Sequence, residues 1–117
     1  LIRRVEKLVD GYPEFRFRGR REENPSGFIV HTLRAVLQAF FDTDTFEQCL
    51  IDVVNRGGDA DTTGAIAGML AGAFHGHGAI PMHWIDRLDP ATRQSCLRQA
   101  KALLGIGPSV DRTNQGL

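Results

Sequence analysis

An all-α fold is predicted for this chain, and three observations predict it. Apolar residues recur at three- and four-residue spacing through most of the 117 positions. Glycine and proline interrupt that spacing at intervals that suit helices rather than hairpins. No run alternates apolar and polar residues for long enough to make a convincing strand.

The elements follow in order. Ile2, Val5, Leu8 and Val9 mark one face of a first helix, which Gly11 is placed to end. Residues 12 to 27 hold Pro13, Gly19, Pro25 and Gly27 among charged side chains and read as a loop. A second helix is expected from about Phe28 to Phe41, through Ile29, Leu33, Val36, Leu37 and Phe40, with Ser26 at its N-cap. Thr45, with Gln48 three residues on, forms a capping box for a third helix through Leu50, Ile51, Val53 and Val54. Gly57 and Gly58 stop it. A fourth helix starts near Asp61 or Thr62, runs to about Phe74, and repeats Gly64, Gly68 and Gly72 on one face. Each such glycine costs roughly 1 kcal/mol against alanine, so the repeat predicts that something packs very close to that backbone. Gly76 and Gly78 end it, and Pro81 opens a short helix holding Trp84, Ile85 and Leu88. Asp89 then caps a last helix, with Pro90 at its first position and Leu97, Ala100, Leu103 and Leu104 along it. The polar tail over 106–117 is expected to be loose.

Composition excludes several classes. Hydrophobic residues at 42% and charged residues at 24% argue against a disordered chain. Lys plus Arg equals Asp plus Glu at 14 each, so net charge offers no pull toward nucleic acid or an acidic membrane. The run Gly64 to Phe74 is too short to span a bilayer. Cys49 and Cys96 lie far apart in apolar helical patterns and fit buried thiols of a reducing compartment, hence a cytoplasmic protein. The chain begins at Leu1 rather than Met, so a longer parent protein is expected.

The chemistry concentrates in Gly57-Gly58-Asp59-Ala60-Asp61-Thr62-Thr63-Gly64. Two carboxylates two residues apart in a short extended turn point roughly the same way, and a hydroxyl follows at once. Such hard oxygens suit Mg²⁺, Mn²⁺ or Ca²⁺ rather than zinc. Gly57 and Gly58 allow a sharp turn and a close approach of a ligand to the main chain. In the bland alternative Asp61 only caps the fourth helix and Asp59 is solvated. A rival enzyme reading takes Asp59-Ala60-Asp61-Thr62-Thr63 as the D-x-D-x-T signature of haloacid-dehalogenase-like phosphatases, which belongs at the end of a buried strand.

The run from Asn55 to Gly68 (NRGGDADTTGAIAG) resembles the C-terminal metal motif of the ADP-ribosylglycohydrolase family, and most resembles its dinitrogenase reductase-activating glycohydrolases. The likeness extends upstream to Ser26-Gly27-Phe28-Ile29-Val30-His31-Thr32-Leu33, and downstream through Gly72-Ala73-Phe74-His75-Gly76 to Ile80-Pro81-Met82-His83-Trp84. It implies an orthogonal all-α domain of which this chain is the C-terminal portion. Residues 1–25 would form a helix and loop, 26–88 the metal and substrate core, and 89–105 the last helix.

The same resemblance implies two Mg²⁺ or Mn²⁺ ions and hydrolysis of the N-glycosidic bond of ADP-ribosyl-arginine on a protein. Asp59, Asp61 and Thr62 match the family's C-terminal metal ligands, with Asp59 and Asp61 also positioning the water. Phe28 falls where relatives carry an aromatic that stacks on ADP-ribose, although at the head of an apolar helix it equally suits the core. Ser26, Gly27 and Gly58 are the companion substrate contacts. The family's other ligands come from a Thr-Asp-Asp motif and an upstream Glu. No Asp-Asp pair occurs here, so the 117 residues alone are expected to be inactive. Likeness further implies dinitrogenase reductase as substrate and a PII-type regulator as partner. The alternative function is a non-catalytic helical ADP-ribose-binding or interaction module. His31, His75, His77 and His83 are expected at surface or helix-end positions, and Phe15-Arg16-Phe17-Arg18-Gly19-Arg20-Arg21 in a solvated loop.

Overall fold

The computed structural model describes residues 1–106, and among these every regular element is helical. Six α-helices occur: α1 (Ile2–Val9), α2 (Ile29–Asp42), α3 (Phe46–Asn55), α4 (Ala60–His75), α5 (Met82–Asp86) and α6 (Pro90–Ile106). The predicted loop over 12 to 27 contains one 3₁₀ turn, Pro13–Phe15. The chain divides into two compact units, Leu1–Pro81 and a second beginning at Met82. Most of the tail expected over 106–117 lies outside the described residues.

In the first unit α2, α3 and α4 pack on one another. The core is built from Ala35, Val36, Ala39 and Phe40 of α2, Phe46, Cys49 and Val53 of α3, and Ala67 and Ala71 of α4. Phe17 joins it from the loop and stacks on Phe41, with ring centroids 5.3 Å apart. Phe17, one of the two aromatics of the arginine-rich segment, is thus spent on packing. Two of its four arginines are in ion pairs, Arg18 with Glu6, and Arg21 with both Glu23 and Asp52.

The glycine stripe of α4 faces α3 at ordinary packing distance, not the unusually close approach expected. A Cβ at Gly64, Gly68 or Gly72 would meet Val54 Cγ2 at 3.5 Å, Leu50 Cδ1 at 3.9 Å and Phe46 Cε2 at 3.8 Å. One large α3 side chain therefore lies over each turn of α4 at van der Waals distance. Alanine would just fit; a longer side chain would drive the helices apart.

The boundaries follow local chemistry. Gln48 N–H donates to Thr45 Oγ1 at 3.1 Å, and Gln48 Oε1 accepts from Asp44 N–H at 3.0 Å, so the capping box forms, with its return bond one residue upstream of the cap. Ser26, by contrast, is not the N-cap of α2. Phe28 holds that position in an extended conformation, and Ser26 lies two residues outside the helix. The cysteines also divide: Cys49 is buried, and burial pushes its thiol pKa up, whereas Cys96 is exposed. Expecting both to be buried was half wrong, because α6 buries no residue.

The second unit contains α5 and α6. Asp89 caps α6 as expected, its Oδ2 accepting from Thr92 N–H at 3.1 Å, and Asp86 faces Arg93 at 3.9 Å.

Candidate metal and nucleotide site

The turn between α3 and α4 is held by an arginine that leaves solvent. Arg56, at the C-cap of α3, has a side chain with no exposed surface. Its Nε donates to Asp52 Oδ1 at 2.7 Å, one helical turn back. Its Nη1 donates to Gln38 Oε1 at 2.5 Å and to the Glu22 carbonyl at 3.3 Å. Gln38, buried in the middle of α2, in turn donates to the carbonyls of Phe17 at 2.8 Å and Arg20 at 2.9 Å. These two side chains tie the 17–22 loop to both helices.

Past Arg56 the backbone turns through Gly57 (φ 77°) and Gly58 (φ 62°), conformations that cost other residues about 1–2 kcal/mol. The loop at Asn24 and Pro25 lies directly on this turn. Asn24 N–H donates to the Arg56 carbonyl at 2.8 Å, and Asp59 N–H to the Pro25 carbonyl at 2.8 Å. A Cβ on Gly58 would come within 2.2 Å of the Pro25 carbonyl oxygen. Gly58 thus serves loop-on-turn packing. Gly58→Ala is expected to destabilise the protein by at least about 1 kcal/mol, visible as a lower urea midpoint.

This clamp decides which side chains meet. It sets Gly27 against the metal motif: a Cβ there would meet Asp59 Oδ2 at 2.9 Å. Ser26, Gly27 and Phe28 are therefore neighbours of Asp59, although some thirty residues separate them in sequence. Asp59 is the N-cap of α4 yet makes no side-chain capping bond, which leaves its carboxylate available. Asp61 lies in the first turn, exposed. Contact with the Asp59 carboxyl, together with the Thr62 N–H that Asp61 Oδ1 accepts at 3.1 Å, holds the Asp61 carboxyl below the usual carboxylate range. The N-terminal end of α4 adds its own positive partial charges beside these two carboxyl groups. Of the bland reading, the structure keeps the exposed Asp61 at the helix start, bonded to the Thr62 N–H, while Asp59 takes the N-cap position. Thr62 is half-buried beside them in the same turn.

Phe28 is 59% exposed and takes no part in the core of the first unit. Its ring stands edge-on to His31, with centroids 5.4 Å apart. The phosphatase reading fails as well, because helix α3 and a glycine turn, not a strand, precede Asp59.

The donor set fits a hard divalent cation but supplies only part of its shell. Among the described residues no group of three or more His, Cys, Asp or Glu side chains converges on one point. Sequence reasoning overlooked three contributors: Gln38 and Arg56 as the clamp, Asn24 with Pro25 as the strap, and His31 beside Phe28. Only the Asp52–Arg56 spacing of one helical turn carried a signal.

Comparison with known proteins bears on this arrangement. The ADP-ribosylglycohydrolase family model matches residues 2–111. The ADP-ribosyl-[dinitrogen reductase] glycohydrolase of Rhodospirillum rubrum is 47% identical over 102 residues, which are 87% of this chain and 34% of that protein. The ADP-ribosylarginine hydrolases Tri1 of Serratia proteamaculans and Pseudomonas putida are 36% and 33% identical, over 92% of this chain and 29% of each relative. The chain thus spans about a third of the length of the curated relatives it matches.

Proposed function

This chain belongs to the ADP-ribosylglycohydrolase family, and on that premise we propose that it supplies the C-terminal half-site for hydrolysis of ADP-ribosyl-arginine on a protein. The observation that carries the proposal is the placement of Asp59 and Asp61 at the head of α4, with Gly27 lying against the Asp59 carboxylate. Relatives that match most of the chain are named for that bond.

Asp59, Asp61 and the Thr62 hydroxyl would hold the divalent cations, two Mg²⁺ or Mn²⁺ ions. Bound there, these supply positive charge to the ribose hydroxyls and orient the attacking water. Asp59 and Asp61 also position that water for attack on the anomeric carbon, with the arginine guanidine as leaving group and an oxocarbenium-like transition state. The exposed Phe28 ring offers an apolar face to the nucleotide, and the Ser26–Gly27 backbone lies next to the carboxylates to receive polar groups.

Two carboxylates do not neutralise two dications, so completion by further acidic residues is part of the proposal. The 117 residues by themselves are expected to give no turnover of ADP-ribosyl-arginine, whereas the intact protein that carries them turns over with Mn²⁺ and stops with chelator. Turnover by the 117 residues alone would refute the incomplete-site account. Metal-independent ADP-ribose binding without turnover by the intact protein would instead favour a non-catalytic module.

Dinitrogenase reductase is the proposed target, following the name of the Rhodospirillum relative. A PII-type regulator and a cytoplasmic setting extend the same proposal. No described helix is long and apolar enough to cross a membrane.

A further inference from the structure

We propose that His31 is a positioning residue for the nucleotide, fixing Ser26 and bracing the Phe28 ring so that both face the substrate in one arrangement. The inference rests on the reading of the Ser26–Phe28 segment as a substrate contact and adds a residue to it. His31 Nδ1 lies 2.9 Å from Ser26 Oγ, and the same Oγ accepts from Phe28 N–H at 3.2 Å. The imidazole, in the first turn of α2, also meets the ring of Phe28 at the N-cap at 87°. One side chain therefore restrains both neighbours of Gly27, the residue that lies against Asp59.

An exposed aromatic on a bare loop samples several rotamers, and ordering it on binding costs affinity. His31 removes part of that cost before substrate arrives. The start of α2 does not need it for folding. Thr32, almost fully buried, donates its hydroxyl to the Ser26 carbonyl at 3.1 Å, and its N–H bonds to the Phe28 carbonyl at 3.0 Å. The main chain is thus anchored by Thr32, and the half-buried His31 is left to set the side chains.

The test is steady-state kinetics of the intact protein on ADP-ribosyl-arginine, with ADP-ribose titrations alongside. His31→Ala is expected to raise KM and the ADP-ribose Kd roughly tenfold with kcat changed less than about twofold, as for a lost ground-state contact. His31→Asn, which keeps a group able to bond Ser26, should recover part of that loss. Because His31 acts partly through Phe28, its loss should cost less in the Phe28→Ala background, where only the part exerted through Ser26 remains. An unchanged Kd in His31→Ala overturns the proposal, as do losses that multiply in the double variant. So does a fall in thermal midpoint with kcat and KM worsening together, which marks a purely structural role. Wild-type protein that neither binds ADP-ribose nor cleaves the bond would overturn the parent reading and this one together; normal wild-type behaviour with an indifferent His31→Ala sinks this one alone.

Discussion

Asp61→Ala in the intact protein is expected to abolish metal-dependent turnover, by more than about a hundredfold, since loss of even an outer-shell partner typically costs 10–100-fold. The fold should survive. The side chain is exposed and its backbone bond is to the adjacent Thr62 N–H, so the interaction it forfeits with the helix terminus is small and screened by solvent. Asp59→Ala should behave alike. Its backbone, which donates to the Pro25 carbonyl and accepts from Thr63 N–H, is kept by alanine, and its side chain caps nothing. Kinetics with Mn²⁺ and circular dichroism on the same preparations check both statements. Retained activity in either variant would remove that residue from the site.

The second large effect is expected at Arg56. Truncation to alanine leaves Asp52 without its closest cation and Gln38 Oε1 without its shortest donor, in a region closed to water. Breaking a buried ion pair from one side costs about 3–5 kcal/mol. Asp52 retains 18% of its side-chain exposure, which places the expected loss near the lower end. Against a typical stability of about 5–15 kcal/mol this is a large fraction, and the urea midpoint should fall accordingly. Arg56→Met, matched in volume but still without the donors, should lie between wild type and Arg56→Ala. The consequence reaches the site because Arg56 holds the Glu22 carbonyl and, through its own carbonyl, the Asn24 N–H. Once that strap loosens, Gly27 and Phe28 lose their place beside Asp59.

The other expectations differ in kind. Gly58→Ala acts through backbone strain and a steric clash, and His31→Ala acts through binding with little effect on stability. The two largest effects can therefore be separated by measurement. Asp61→Ala removes turnover and keeps the fold, whereas Arg56→Ala weakens the fold and takes the site with it.

Local signals carried most of the architecture. The Thr45–Gln48 box, the Asp89 cap and the glycines at 57, 58 and 76 punctuate helices whose bounds fell within two residues of expectation wherever these signals were strong. Ser26 was misplaced because serine two residues before a helix is chemically as ready to cap as serine at the cap itself. Which of the two occurs depends on the extended Phe28, and no propensity reports that. Phe28 itself could not be assigned to core or surface from periodicity, since it precedes the first helical turn.

By itself, then, the sequence determined the helices, the oxygen-rich turn and the family, because each is written in neighbouring residues and short-range chemistry. Tertiary structure alone decided that residues 24–28 cross over the Gly57–Asp59 turn, that Arg56 is buried to hold them there, and that the α4 glycines receive the side chains of α3. Those contacts join positions some twenty to thirty-four residues apart or set the packing of whole helices. Their energies come from buried hydrogen bonds and close packing, which exist only once the chain has closed on itself.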